Sequence, residues 1–255
     1  MIVFRDVHKA FGAKRVLQGF SLEVADGETM VIVGYSGSGK SVALKHVVGL
    51  LEPDAGAVEV DGQVVHKLER QPLMALRSQI GFVFQFAALL DSMTVRDNIA
   101  LGLKRRPLSP EEIDERVRES LALVELEGTE DRYPAELSGG MRKRVGIARA
   151  IALRPSYLLY DEPTTGLDPV TAAVIDQLMV RAKQRLGVTG IVVTHDMRSA
   201  YTVGDRVAML YKGTVRQVGT VEQIQQAHDP IVRQFIEGRP EAAADAEATW
   251  LEAAS

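Results

Sequence analysis

The sequence predicts an α/β fold, a mostly parallel sheet with a helical subdomain inserted into it. Three observations carry that prediction. Short, continuously apolar runs at Thr29–Val33, Tyr157–Tyr160 and Gly190–Thr194 have the character of strands buried on both faces. Helix signals alternate with them, as in α/β architectures. The middle third of the chain reads as helical and interrupts that alternation.

Taken in order, the stretch from Met1 to Val60 reads as short strands and turns punctuated by Gly12, Gly27 and Gly56. Thr29–Val33 is the first buried strand, and Val42–Val48 is the helix that follows its glycine-rich turn. Asp61-Gly62 marks a hairpin-type turn. A helical segment around Pro72–Ser78 leads to the strand Ile80–Phe84, which ends at Gln85. Ser109-Pro110-Glu111-Glu112 combines an N-cap, a first-turn proline and a capping-box glutamate; Ile113, Val117, Leu121 and Val124 follow on one helical face. Ser138 should open a helix running from Gly139 through Leu153. Asp229-Pro230 should cap a last helix carrying Ile231, Val232, Phe235 and Ile236, stopped by Gly238. From Glu241 to Ser255 the chain is rich in Ala and Glu, for which disorder is the default. Its Trp250-Leu251 pair is the one candidate anchor for a partner there.

With 255 residues and 46% hydrophobic content, the chain has ample material for a core. No apolar run approaches the roughly 18–20 residues that span a bilayer, and no signal-peptide pattern opens the sequence. The chain is therefore expected to stay in the compartment where it is made. Zero cysteines exclude disulfides and thiolate metal sites. A net charge of −4 argues against nucleic-acid binding, which needs a basic surface.

The chemistry concentrates at strand ends. Gly34-Tyr35-Ser36-Gly37-Ser38-Gly39-Lys40-Ser41 matches the phosphate-cradling pattern G-x-x-x-x-G-K-[ST] at every fixed position, between a strand and a helix. Glycines let backbone N–H groups converge on a phosphate, Lys40 supplies a charge, and Ser41 supplies a hydroxyl for Mg²⁺. Asp161-Glu162 follows a second apolar strand and His195 a third. Ligands bind outside the carboxyl ends of parallel strands, so the three groups should converge. Asp161 is the expected Mg²⁺ ligand, directly or through water, and Glu162 the group that polarises the attacking water.

Leu137-Ser138-Gly139-Gly140 is a second glycine cluster, placed before the Asp161-Glu162 pair. Together the two clusters resemble the ATP-binding cassette (ABC) ATPases, over residues from about Phe4 to about Gly238. The resemblance implies a P-loop NTPase fold with a RecA-like core, an N-terminal antiparallel β subdomain and an inserted helical subdomain. It places the core at about 1–85 and 154–238, the helical subdomain at about 86–153, and a C-terminal extension at 239–255. In that family the Leu-Ser-Gly-Gly segment of one subunit closes over ATP held by another, so ATP, Mg²⁺ and a second copy of the chain are implied. Ser138, Gly139 and Gly140 would then act in trans, and Asp168 would lie in the loop that crosses the dimer. His195 would be the switch histidine at the γ-phosphate. Gln85 would reach Mg²⁺ and water, Phe11 would stack under adenine, and Val42 would close the phosphate-loop set.

Arg142, Lys143 and Arg144 oppose the dipole of the helix they open, which suits a bound anion there; a solvated basic face is the plainer reading. Three departures stand out: Tyr35 where proline is usual, Val42 where threonine is usual, and Met141 in place of glutamine. The first two remove no phosphate or Mg²⁺ ligand; Met141 removes a polar contact that the resemblance places across the dimer, which is not expected to abolish hydrolysis.

Two stretches narrow the resemblance further. Gln85 to Val95 and Leu137 to Arg144 look like the ATPase of the Mla phospholipid transport system of Gram-negative bacteria, as does Asp229 to Gly238. This implies transmembrane permease subunits, a small accessory cytoplasmic subunit, a periplasmic lipid-binding subunit reached through the permease, and a peripheral place on the cytoplasmic face of the inner membrane. ATPases of other small-solute importers share the catalytic residues, and non-transport ABC proteins remain the more distant alternative.

Overall fold

Two sheets and three layers position the site in the computed structural model, which describes residues 1–239. The larger sheet has six strands in the order β10-β9-β3-β8-β7-β6. Its parallel members are β6 (Ile80–Val83), β7 (Tyr157–Asp161), β8 (Thr189–Thr194), β3 (Thr29–Val33) and β9 (Arg206–Tyr211), and β10 (Thr214–Thr220) adds an antiparallel edge. The smaller sheet is antiparallel, in the order β2 (Lys14–Val24), β1 (Ile2–Phe11), β4 (Ala55–Val60) and β5 (Gln63–Val64).

The apolar runs are apolar because both faces are covered. Val31 and Val33 of β3 point into one core cluster, while Met30 and Ile32 point into the other. β7 divides the same way, Leu158 and Tyr160 against Tyr157 and Leu159. Period-2 alternation sends neighbouring side chains to opposite faces, and here neither face meets water. One cluster lies between the two sheets with α1 (Lys40–Val47), and includes the Phe4–Phe20 pair, packed edge to face at 5.0 Å. The other joins the opposite face of the large sheet to the helical layer.

That layer includes α3 (Val95–Leu103), α4 (Pro110–Leu123) and α5 (Gly139–Ala152), with Ile175, Leu178 and Ala200 of later helices in the same cluster. The capping box of α4 forms as read: Glu112 N–H donates to Ser109 Oγ at 3.2 Å, and Ser109 N–H donates to the Glu112 carboxylate at 2.7 Å. Val117, Leu121 and Val124 are buried and Ile113 packs at their margin. The remaining helices are α2 (Arg70–Ser78), α6 (Pro169–Leu186), α7 (Met197–Val203), α8 (Val221–Gln225) and α9 (Pro230–Ile236).

The N-terminal strands differ from the sequence reading. They are long, ten residues in β1 and eleven in β2, where short strands were expected. Their register shifts after Phe4, and Asp6 sits at φ 47°, so a bulge lies within β1 and the strand continues past it. The expected interruption at Gly12 is the tight turn between these two strands. The Trp250-Leu251 anchor and the rest of 241–255 lie outside the described residues.

Candidate functional site

A cleft of about 460 Å³ opens at the carboxyl ends of β3, β7 and β8. It is lined by Phe11, Ser36, Gly37, Gly39, Lys40, Ser41, Val42, Gln85, Glu162 and His195, with Lys14, Val16 and Thr165. The fold thus gathers residues far apart in sequence, as the strand-end argument required.

The phosphate loop is shaped by close approach. A Cβ on Gly34 would lie 2.4 Å from the Leu210 carbonyl oxygen, so only glycine fits against β9. Gly37 takes φ 79°, a left-handed geometry that a side chain would strain. The Lys40 ammonium turns back onto its own loop, donating to the Gly34 carbonyl at 2.8 Å and the Tyr35 carbonyl at 3.2 Å. Glu162 Oε1 faces it at 3.5 Å. Burial lowers the Lys40 pKa, and the Glu162 charge opposes that shift. Tyr35, the departure from proline, packs edge-on against Phe235 of α9 at 5.0 Å and so joins the loop to the last helix.

Ser41 Oγ donates to Asp161 Oδ1 at 2.5 Å, bringing a hydroxyl and a carboxylate together at the start of α1. Burial pushes the Asp161 carboxyl up, against the lowering effect of that hydrogen bond. Ser38 Oγ is buried with no hydrogen-bond partner, an unused polar group within the loop. Among the described residues no group of three or more His, Cys, Asp or Glu could hold a metal alone. Two hard oxygens beside a phosphate cradle suit Mg²⁺, which takes its other positions from phosphates and water.

Glu162 stands just past the end of β7 at φ 48°, in the sparsely populated left-handed region. Strain of this kind gathers at functional sites. Its Oε2 accepts from Thr165 Oγ1 at 2.9 Å and lies 2.8 Å from His195 Nδ1. His195 thus keeps its other ring nitrogen for a second partner. Gln85 is half-buried where β6 runs into the loop, and Phe11 is 48% exposed with the Lys9 ammonium 5.7 Å from its ring centre.

Ser138, Gly139 and Gly140 do not line this cleft. Ser138 caps α5, accepting from the Met141 N–H at 3.2 Å. A Cβ on Gly139 would meet open space, whereas one on Gly140 would lie 2.5 Å from Thr171 Cγ2. Asp168 caps α6, accepting from the Val170 and Thr171 N–H groups at 3.0 Å.

The basic run that opens α5 has a different use from either reading of the sequence. Arg142 donates to the Leu137 carbonyl at 2.8 Å, and Arg144 to the Val124 and Glu125 carbonyls at 3.2 and 3.1 Å. Lys143 is buried and donates to the Thr165 carbonyl at 2.7 Å. These cations serve backbone acceptors within the chain. Arg149, which the sequence reading passed over, does the same for the loop after Gln85, donating to the Ala87 and Ala88 carbonyls at 2.6 Å each. Asn98 was also missed: it is fully buried, with its side chain bonded to Leu90, Met93 and Thr94. Carbonyl acceptors carry no sequence signature, so no pattern could have pointed to these contacts.

The ABC transporter family profile matches residues 17–165. The chain belongs to the ABC transporter family. ATP with Mg²⁺ is the ligand pair of such a cassette, and the donor set above fits both. This cassette is 41% identical to the probable ribonucleotide transport ATP-binding protein mkl of Mycobacterium tuberculosis over 232 residues, covering 91% of this chain and 65% of that protein. It is 43% identical to the methionine import ATP-binding protein MetN of Xylella fastidiosa (92% of this chain, 72% of that one). It is 46% identical to the sulfate/thiosulfate import ATP-binding protein CysA of Caulobacter vibrioides (89% and 66%). The chain spans about 65% of the length of the mycobacterial relatives.

Solved structures agree on the cassette fold. The dimeric ATP-binding cassette MJ0796 bound to ADP and Pi superposes with a TM-score of 0.79 at 36% identity, over 87% of this chain and 99% of that one. CbiO1 from Clostridium perfringens, part of the transporter complex cbiONQ, gives 0.82 at 28% identity, over 97% and 98%.

Proposed function

We propose that the cassette hydrolyses ATP as a pair of identical chains and so drives a membrane permease. The observation that carries this reading is the division of the motifs. Lys40, Ser41, Glu162 and His195 line one cleft, with Asp161 behind it accepting from Ser41, while Ser138 caps a helix that does not line it. A site complete on one side and lacking its second glycine cluster calls for another copy to supply it. The dimeric cassette MJ0796, bound to ADP and Pi, supports that arrangement by analogy.

Within the cleft each residue has work that its contacts suit. Lys40 exchanges the carbonyls of Gly34 and Tyr35 for phosphate oxygens, which requires no change of loop path. Phe11 offers its exposed ring to adenine. Ser41 and Asp161, with Gln85, would hold Mg²⁺, whose charge supports negative charge developing on the phosphates. Glu162 would orient water and accept its proton, and His195, 2.8 Å from that carboxylate, would keep its other ring nitrogen for the γ-phosphate. At helix α5, free N–H groups after Ser138 present partial positive charge to a phosphate from the partner chain.

The permease reading draws on the loop after β6. Phe86 is 85% exposed, Phe84 and Leu90 are also exposed, and Ala87 and Ala88 both take left-handed φ. Arg149 fixes that loop to α5, so an apolar contact made there has a rigid path to the Leu-Ser-Gly-Gly helix. No helix among the described residues is long and apolar enough to cross a membrane, in keeping with peripheral attachment through a permease on the cytoplasmic face.

For the cargo we favour phospholipid moved between the inner and outer membranes of a Gram-negative cell, on the likeness of Gln85–Val95, Leu137–Arg144 and Asp229–Gly238 to the Mla ATPase. That system would add a small accessory cytoplasmic subunit and a periplasmic lipid-binding subunit. The second reading is an importer of another small solute, favoured by the roles named for the ribonucleotide, methionine and sulfate relatives. Similar identity to three chemically different transport roles means that cassette identity does not choose among cargoes. Recovering the chain from membranes with its bound subunits, then measuring ATP turnover with phospholipid vesicles or with each solute, tests the choice. Stimulation by phospholipid and by no solute is expected; stimulation by a solute alone would overturn the lipid reading.

A further inference from the structure

We propose that Asp176, acting through Ser199, is a positioning residue for the two loops that carry Glu162 and His195. The proposal rests on the ATPase reading above, which gives those two residues their work. Asp176 lies on α6 and is 2% exposed, and Ser199 lies on α7 at 1%. Ser199 Oγ donates to Asp176 Oδ2 at 3.0 Å. The same hydroxyl is 3.3 Å from Asp196 Oδ2 and 3.4 Å from Thr164 Oγ1.

Each neighbour is one step from the chemistry. Asp196 follows His195 directly and caps α7 by accepting from the Arg198 N–H at 2.8 Å. Thr164 precedes Thr165, whose hydroxyl donates to Glu162. A single buried hydroxyl therefore ties α6 to the loop on either side of the Glu162–His195 contact. Thr165 and His195 line both the main cleft and a second cleft of about 560 Å³, so they form the wall between the two. Asp176 lines the second cleft and backs that wall.

The arrangement is costly, which argues that it does something. Burial pushes the Asp176 carboxyl up to about 6, and Asp196 adds to the rise. Among the described residues its Oδ1 has no hydrogen-bond partner and no cation pairs with it. An apolar residue at this site would avoid both penalties and would still pack α6 against the sheet. What it could not do is accept from Ser199. With one proton and several acceptors in reach, Ser199 needs a fixed acceptor to keep a single orientation.

The test measures kcat and KM for ATP in the full chain for Asp176→Ala, Asp176→Asn and Ser199→Ala, each alone and combined with His195→Ala. Loss of loop placement should lower kcat about 10-fold in Asp176→Ala while KM stays within about two-fold. Asp176→Asn, whose amide oxygen accepts the same bond, should keep at least about half of wild-type kcat. In the His195→Ala background, Asp176→Ala should add less than about a two-fold further loss, because both changes strike one unit. Ser199→Ala asks the same question with a smaller change, should Asp176→Ala fail to fold. Wild-type kcat in both Asp176→Ala and Ser199→Ala, or a full multiplicative loss on top of His195→Ala, would overturn the inference alone. Wild-type turnover in Glu162→Gln and His195→Ala would overturn the ATPase reading, and this inference with it.

Discussion

The phosphate loop and the Leu-Ser-Gly-Gly segment are both glycine-rich and both lead into a helix, α1 from Gly39 and α5 from the Ser138 cap, yet they are built for different circumstances. In the loop, charge is gathered and buried: Lys40 faces Glu162, Ser41 faces Asp161, and His195 closes the circle. At the start of α5, charge is drawn away, since Arg142, Lys143 and Arg144 are all turned to carbonyls within the chain. What remains there is the Ser138 cap, the open space beside Gly139 and the close contact behind Gly140. One half holds its counter-charges ready for exchange with a ligand. The other is a helix end, capped by Ser138, that faces no ligand-like group among the described residues. On the composite-site proposal, such an end is told apart by cations that turn away from it to backbone carbonyls.

The comparison breaks first at Glu162. Glu162→Gln should retain ATP affinity and lose at least about 10²-fold in turnover, the lower range for a general base. Turnover near wild type would remove the gathered charge from the mechanism. Lys40→Ala should instead weaken ATP binding itself, by about 10-fold or more, because it removes the charge that faces the β- and γ-phosphates; equilibrium nucleotide binding reads this directly.

A smaller effect sharpens the contrast in pH. The folded pKa of Asp176 is about 6, raised from 3.8. A raised carboxyl contributes stability that is fully present below the unfolded pKa and is lost as pH rises through the folded one. Asp176→Asn lacks this dependence, so denaturant melts should show the variant gaining on wild type from pH 4 to 7. The gain should reach roughly 2–3 kcal/mol and then level off. A constant difference across that range would place the Asp176 carboxyl in a more solvated setting than this structure gives it.

Next come the two glycines of α5. Gly140→Ala should cost about 1–3 kcal/mol in thermal or denaturant melts, because the new Cβ meets Thr171. Gly139→Ala should leave folding nearly unchanged, since among the described residues nothing beyond its own helix and chain neighbours would lie within 4 Å of the new Cβ. Equal costs would mean that the open side of Gly139 is not open. At the small end, Ser109→Ala removes a cap remote from both halves and should cost about 1 kcal/mol without altering turnover.

Much of the first half-site was legible in the sequence because its elements obey local rules. A strand covered on both faces leaves a continuous apolar run, as at Thr29–Val33, and a turn that bends back over a phosphate needs glycines at fixed spacing. The cap at Ser109 and the stop at Gly238 follow the same local logic. What was not legible depends on tertiary acceptors. Lys143 and Arg149 read as ordinary cations on a helix, and only folding brings carbonyls of distant loops beneath them. Asp176 carried no signal that singled it out, and it is buried where α7 brings Ser199 against it. The glycines at 12 and 27 mark turns but not how far β1 and β2 run between them, ten and eleven residues with a bulge within β1.

The central claim, that each chain carries halves of two different sites, is tested most directly by mixed dimers. Lys40→Ala in one subunit and Ser138→Arg in the other place both defects in one composite site and leave the second site whole. Both changes in a single subunit, paired with an unaltered one, damage both sites. Counting ATP occluded per dimer should give about one molecule in the first arrangement and close to none in the second. Equal occlusion in the two arrangements would contradict the composite site.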